Sequence, residues 1–147
     1  MIKEKNYNHT LIIGGSSGIG EKLALKFAKQ ESVSVIARRI DKLKALESSN
    51  TNIFSCPGDV TSLDNLKKSI DSCVDHFGKV DRLIYCAGKQ VIKPHRLLND
   101  EDINSLIDVN LKGALYASKI FLSSKSSEKD SVFCAISSIA SMKPEPG

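Results

Sequence analysis

Two periods of apolar spacing alternate along the chain. Short apolar runs of strand length stand at residues 10–13, 33–37, 52–56, 83–87 and 132–136. Between them, apolar residues recur every three or four positions, the spacing of one helix face. Ile19, Leu23 and Phe27, flanked by Ala24 and Ala28, predict a helix over residues 18–29. A short polar helix is expected near residues 41–46. Leu63, Leu66, Ile70, Val74 and Phe77 predict a longer amphipathic one. Asn99 with Asp102 three residues on has the form of a capping box, with Asn as the cap. It opens a long helix over residues 100–122, on which Ile103, Leu106, Ile107, Leu111, Leu115 and Phe121 are available for burial. Residues 123–130 read as a polar link to the last strand.

Strands alternating with long helices imply a parallel sheet covered on both faces. Right-handed crossovers make such a sheet doubly wound, with a ligand crevice at the carboxyl ends of its strands. The notable polar features fall at those ends: the glycine turn after residue 13, Arg38, Asp59, Gly88 and Ser138.

The turn is Gly14-Gly15-Ser16-Ser17-Gly18-Ile19-Gly20, between a strand and a helix start. Glycines permit a tight turn and a close backbone approach to a pyrophosphate. A helix N-terminus adds unpaired N–H groups and a partial positive charge. The spacing is Gly-x-x-x-Gly-x-Gly rather than Gly-x-Gly-x-x-Gly, so by itself the stretch is a weak signal, since such a glycine-rich stretch is often only a turn.

Composition narrows the class. At 147 residues the chain has the length of one domain, residues 1–147, and its 41% hydrophobic and 26% charged residues are those of a globular one. The net charge of +4 is interleaved with acidic residues, so no nucleic-acid stripe is read. No apolar stretch approaches bilayer length, and residues 1–6 lack the apolar core of a signal peptide. Cys56, Cys73, Cys86 and Cys134 are widely spaced, which suits free thiols in a reducing cytoplasm and suggests no metal site.

Five segments in register resemble the short-chain dehydrogenase/reductase family. They are Gly14-x-x-x-Gly18-Ile19-Gly20, Ala37-Arg38-Arg39, Gly58-Asp59-Val60-Thr61, Asp108-Val109-Asn110-Leu111-Lys112-Gly113 and Ile136-Ser137-Ser138-Ile139-Ala140. Tyr85-Cys86-Ala87-Gly88 stands where the family usually has Asn-Asn-Ala-Gly. The resemblance implies a Rossmann-type doubly wound α/β fold with strand order 3-2-1-4-5, the family's later strands missing.

It also implies roles. Gly14, Ser16, Ser17, Gly18, Ile19 and Gly20 would hold the pyrophosphate and adenosine ribose. Asp59, with Val60 beside it, would meet the adenine, and Ala87 and Gly88 would pass close to the nicotinamide ribose. Arg38, followed by Arg39, occupies the position at the end of the second strand where an acidic residue selects NAD, which implies NADP. Asn110 and Ser138 match two of the family's four catalytic residues. The other two, an acid/base Tyr and a Lys, would fall after Gly147, so the chain is expected to be cut short of them and inactive by itself.

The implied enzyme is an NADP-dependent oxidoreductase that moves hydride between nicotinamide and a small carbonyl or alcohol substrate. It would be a homo-oligomer by family analogy. The alternative is a dinucleotide-binding module without chemistry, or an inactive product. Three departures stand out: Ile13 replaces a Thr, Tyr85 and Cys86 replace paired Asn, and Ser17 sits where NADP-preferring members often carry a basic residue.

Overall fold

The computed structural model describes residues 7–123, 125–139 and 142. Ala140, which closes the last resembling segment, and residues 1–6 lie outside them. Five parallel strands form one sheet in the order β3-β2-β1-β4-β5. They are β1 (His9–Ile13), β2 (Ser32–Ala37), β3 (Ile53–Pro57), β4 (Val80–Tyr85) and β5 (Ser127–Ala135). The doubly wound α/β arrangement and its strand order are those the sequence implies.

Helices cover both faces. On one side α1 (Gly18–Phe27) and α2 (Ile40–Ser49) pack on Ile12, Val33, Val35 and Ile84. On the other, α3 (Leu63–Phe77) and α5 (Gly113–Phe121) pack on Leu11, Ile13, Ile36 and Leu83. The alternation is the strand period: successive side chains of β1 point to opposite faces, and because both are covered all five residues are buried. Ser62 caps α3 by accepting from the Asn65 N–H, and Gly78, at φ 84°, ends it. The capping box of Asn99 and Asp102 forms in both directions and starts α4 (Asp100–Ile107).

Several expected boundaries move. The helix over residues 100–122 is not continuous: a π turn, Asp108–Lys112, separates α4 from α5, and the Gly113 N–H reaches back five residues to the Asp108 carbonyl. Its apolar face is also barer than its spacing suggests. Phe121 is buried, whereas Ile103, Ile107, Leu111 and Leu115 are 41–57% exposed, because among the described residues no element packs over that side. β4 begins earlier than its apolar run, since polar residues at its start find partners. Asp81 accepts the backbone N–H groups of Asn8 and His9, at 2.8 and 2.9 Å. Arg82 pairs with Glu31 and lies between the rings of Tyr7 and Phe27. β5 likewise starts inside the expected polar link, where the Val80 N–H bonds the Ser126 carbonyl. α2 is longer than expected, and Glu47 on its last turn accepts from the Ser55 hydroxyl.

Candidate functional site

All five strands deliver the chain to the same end of the sheet. β1 leads into Gly14, β2 into Arg38, β3 into Gly58 and Asp59, β4 into Gly88, and β5 into Ser138. Two glycines make the first of these turns possible. Gly14 has φ +90°, and a Cβ there would come within 2.6 Å of the Ala87 Cα. A Cβ on Gly20 would meet the Gly14 carbonyl oxygen at 2.6 Å, so α1 can start only pressed against the turn. Gly18 opens the helix at φ +61° on the exposed side, next to Ile19.

Ser17 is the N-cap of α1, yet its side chain accepts nothing from the helix. Its hydroxyl is engaged by Arg39 Nη2 at 2.5 Å. Arg39 also donates to the Ser16 hydroxyl, from Nε at 3.2 Å and Nη2 at 3.0 Å. One guanidinium therefore lies over the glycine turn, and the first-turn amides of α1 have no side-chain cap. Both serines use oxygen lone pairs in these bonds and keep their own protons to donate. Cationic charge, helix N–H groups and hydroxyl donors thus converge on a single place, a fitting receptor for phosphate.

A groove of about 240 Å³ runs past this point. Gly14, Ser16, Ser17, Arg38, Arg39, Val60, Ala87 and Gly88 line it, as do Ile36, Ala37, Gly58, Cys86 and Val109. Gly18, Ile19, Gly20 and Asp59 stand outside the lining. Asp59 turns its Oδ1 to the Thr61 N–H and hydroxyl, both at 2.9 Å, while its own N–H donates to Asn65. Ile36, Ala37, Gly58, Cys86 and Val109 were not picked out as site residues from the sequence; all but Ile36 stand inside the segments that resemble the family, and Ile36 adjoins one. Burial pushes the Cys86 thiol up to about 11, with Cys134 nearby adding to the rise, so it lines the groove as a neutral group.

Asn110 sits in the π turn, beside the groove rather than in it. Its side chain exchanges two bonds with the Lys89 backbone: Oδ1 accepts from the Lys89 N–H at 2.9 Å and Nδ2 donates to the Lys89 carbonyl at 2.8 Å. Ser138 lies three residues past β5, exposed and outside the lining. Tyr85 and Lys89 stand four residues apart, the spacing of an acid/base Tyr-x-x-x-Lys, but not its setting. That spacing gathers two side chains on one helix face, whereas Tyr85 closes β4 and Lys89 lies in the non-helical segment after it. Burial holds the Tyr85 hydroxyl at about 12, far from the near-neutral range an acid/base requires.

Comparisons with known proteins agree with this geometry. The chain matches the short chain dehydrogenase family model over residues 8–147. It is 38% identical over 113 residues to "11-beta-hydroxysteroid dehydrogenase-like 2" of Arabidopsis thaliana, covering 72% of this chain and 37% of that protein. It is 32% identical over 142 residues to an uncharacterized oxidoreductase of Listeria innocua, covering 93% and 57% respectively. The chain thus spans between about a third and three fifths of the length of these relatives. Among solved structures, a short-chain dehydrogenase/reductase of Serratia marcescens superposes with a TM-score of 0.86 at 23% identity, covering 95% of this chain and 59% of that one. An actinorhodin polyketide ketoreductase crystallised with NADPH superposes with a TM-score of 0.75 at 26% identity, covering 78% and 46%.

Proposed function

Because the chain belongs to the short-chain dehydrogenase family, we propose that its groove binds NADP in preference to NAD and serves hydride transfer to or from a carbonyl or alcohol. The observation that carries this is the Arg39 guanidinium over the Ser16 and Ser17 hydroxyls, with Arg38 on the same rim. An adenosine 2′-phosphate needs cationic, multiply donating partners, and the end of β2 offers two and no carboxylate until Asp41. The basic residue that Ser17 lacks is supplied here from across the groove. Arg38 and Arg39 share the selectivity, with Arg39 the better anchored.

The remaining residues divide the work. Gly14, Gly18 and Gly20 shape the turn, and Ser16, Ser17 and Ile19 flank the pyrophosphate. Asp59 and Val60 bound the adenine end, while Ala87 and Gly88 bound the other. Bound there, a nicotinamide cofactor supplies or accepts the hydride. Asn110 fixes the backbone after β4, and Ser138 offers its hydroxyl to the substrate oxygen. The proton transfer that completes carbonyl reduction needs an acid/base that none of the described tyrosines provides, so these residues by themselves bind cofactor and do not turn over substrate. The working oligomer and a cytoplasmic site belong to the same proposal.

Fluorescence titration with NADPH and NADH tests it. NADPH is expected to bind more tightly, and Arg39→Ala to weaken NADPH by about tenfold or more while leaving NADH nearly unchanged. Equal affinity for both cofactors, unaffected by Arg38→Ala or Arg39→Ala, would overturn the preference.

A further inference from the structure

The π turn is held at two points, by Tyr85 at the end of β4 and by Lys89 in the segment after it. The first is the pair of bonds between the Asn110 side chain and the Lys89 backbone. The second is buried: the Tyr85 hydroxyl donates to the Val109 carbonyl at 2.5 Å. The π turn creates the need for it. In an α-helix the Val109 carbonyl would accept from the Gly113 N–H, four residues on. Here that N–H is bonded to Asp108 instead. The carbonyl is thereby displaced from its α-helical partner in a buried place, where a missing bond is costly.

Tyr85 is 2% exposed and reaches this carbonyl across the core. Gly113 lets it through: a Cβ at that position would collide with the Tyr85 hydroxyl and lie 3.0 Å from Val60 Cβ. An α-helical register would return the Gly113 N–H to Val109, and the carbonyl would then no longer depend on the hydroxyl. The hydroxyl thus serves the carbonyl that the turn displaces, Gly113 makes room for it, and Asn110 is the next residue along the turn.

We propose that Tyr85 is a positioning residue: its hydroxyl locks the π register of residues 108–112 and thereby sets Asn110 on the Lys89 backbone beside the groove. The importance of that placement rests on the functional reading of Asn110, but the lock itself is a property of the free protein.

Hydrogen exchange of the purified protein without cofactor tests it. Tyr85→Phe keeps the ring and removes the donor. Protection of the Lys89 N–H and of residues 109–113 is expected to fall about tenfold, with β1, β2 and β3 unchanged. Adding Asn110→Ala to Tyr85→Phe is expected to expose Lys89 no further than Asn110→Ala does by itself. Unchanged protection at Lys89, or loss spread evenly over the sheet, would overturn the proposal. Should Tyr85→Phe fail to fold, Asn110→Ala decides the direction of control. Retained protection at residues 109–113 with Lys89 released supports Tyr85 as the lock, and loss at both places refutes it. Because no cofactor is present, failure of NADPH binding would count against the functional reading and not against this one.

Discussion

The β1–β2–β3 half of the molecule is closed, and the far side, β5 with the outer face of α4 and α5, is open. In the first, α1, α2 and α3 cover the strands, and Leu11, Ile12, Val33 and Val35 of the strands, with Leu66 of α3, are fully buried. In the second, Val132 and Ile136 on and after β5 are 39% and 42% exposed, and the outer side of α4 and α5 carries Ile107, Leu111 and Leu115 bare. The polar groups where β4 meets β1 are internally bonded, as in the Arg82–Glu31–Thr10 cluster. The difference separates two tasks. The glycine turn, the arginines and the adenine end belong to the covered side, whereas Ser138 and Asn110 stand on the side whose apolar surfaces are exposed among the described residues.

The comparison can be broken where the halves meet. Gly14→Ala would force a Cβ into the Ala87 backbone at a positive φ, and is expected to cost about 4 kcal/mol or more and abolish NADPH binding. A cooperative thermal melt near that of wild type would show the contact between β1 and β4 to be slack. Within the halves, Leu66→Ala is expected to lower stability by about 3 kcal/mol, and Leu115→Ala by less than about 0.5. Paired denaturant titrations measure this, and equal losses would erase the distinction.

A smaller effect sharpens it through pH. His9, at the far end of β1 from the groove, donates from Nδ1 to the Gly78 carbonyl and accepts at Nε2 from Ser34. Burial holds its pKa below the ordinary 6.5, partly opposed by the backbone carbonyls and Asp81 and aided by His76. The unfolded chain therefore takes up a proton that the folded one refuses. Stability should be flat above pH 6.5 and fall as pH drops from there toward the lower folded value. Urea midpoints from about pH 5 to pH 8 should show the fall in wild type and lose it in His9→Gln.

How much of this was legible follows the same division. The alternation of strands and helices, the glycine turn and the capping box at Asn99 were readable because short-range spacing dictates them, whereas the strand order followed only from the family resemblance. The groove lining was readable in part, since residues at strand ends share one end of a parallel sheet. The π turn was not, because Gly113 inside an apolar run gives no sign of a five-residue bond. Nor was the docking of Arg39 on Ser16 and Ser17, which joins two loops across the sheet. Tyr85 was legible only as a departure from Asn; its use appears when Val109 is seen to need a donor. The stripe along α4, the π turn and α5 was legible as an apolar face available for burial, but not what it packs against, because periodicity identifies a face without identifying its neighbour.

The central place of β1 bears on the order of assembly. β1 pairs with β2 on one edge and with β4 on the other, Thr10 lying opposite both Val33 and Arg82. The first pairing is local; the second closes a much longer stretch of chain and comes at a greater entropic cost. During synthesis, β1, β2 and β3 can associate while the opposite edge of β1 is still vacant. At that stage the glycine turn exists but has no far wall, because Ala87, Gly88 and Val109 have not arrived. A nascent chain would thus carry the family's most recognisable motif well before it could hold a nucleotide, and ligand capture would report late assembly rather than early collapse.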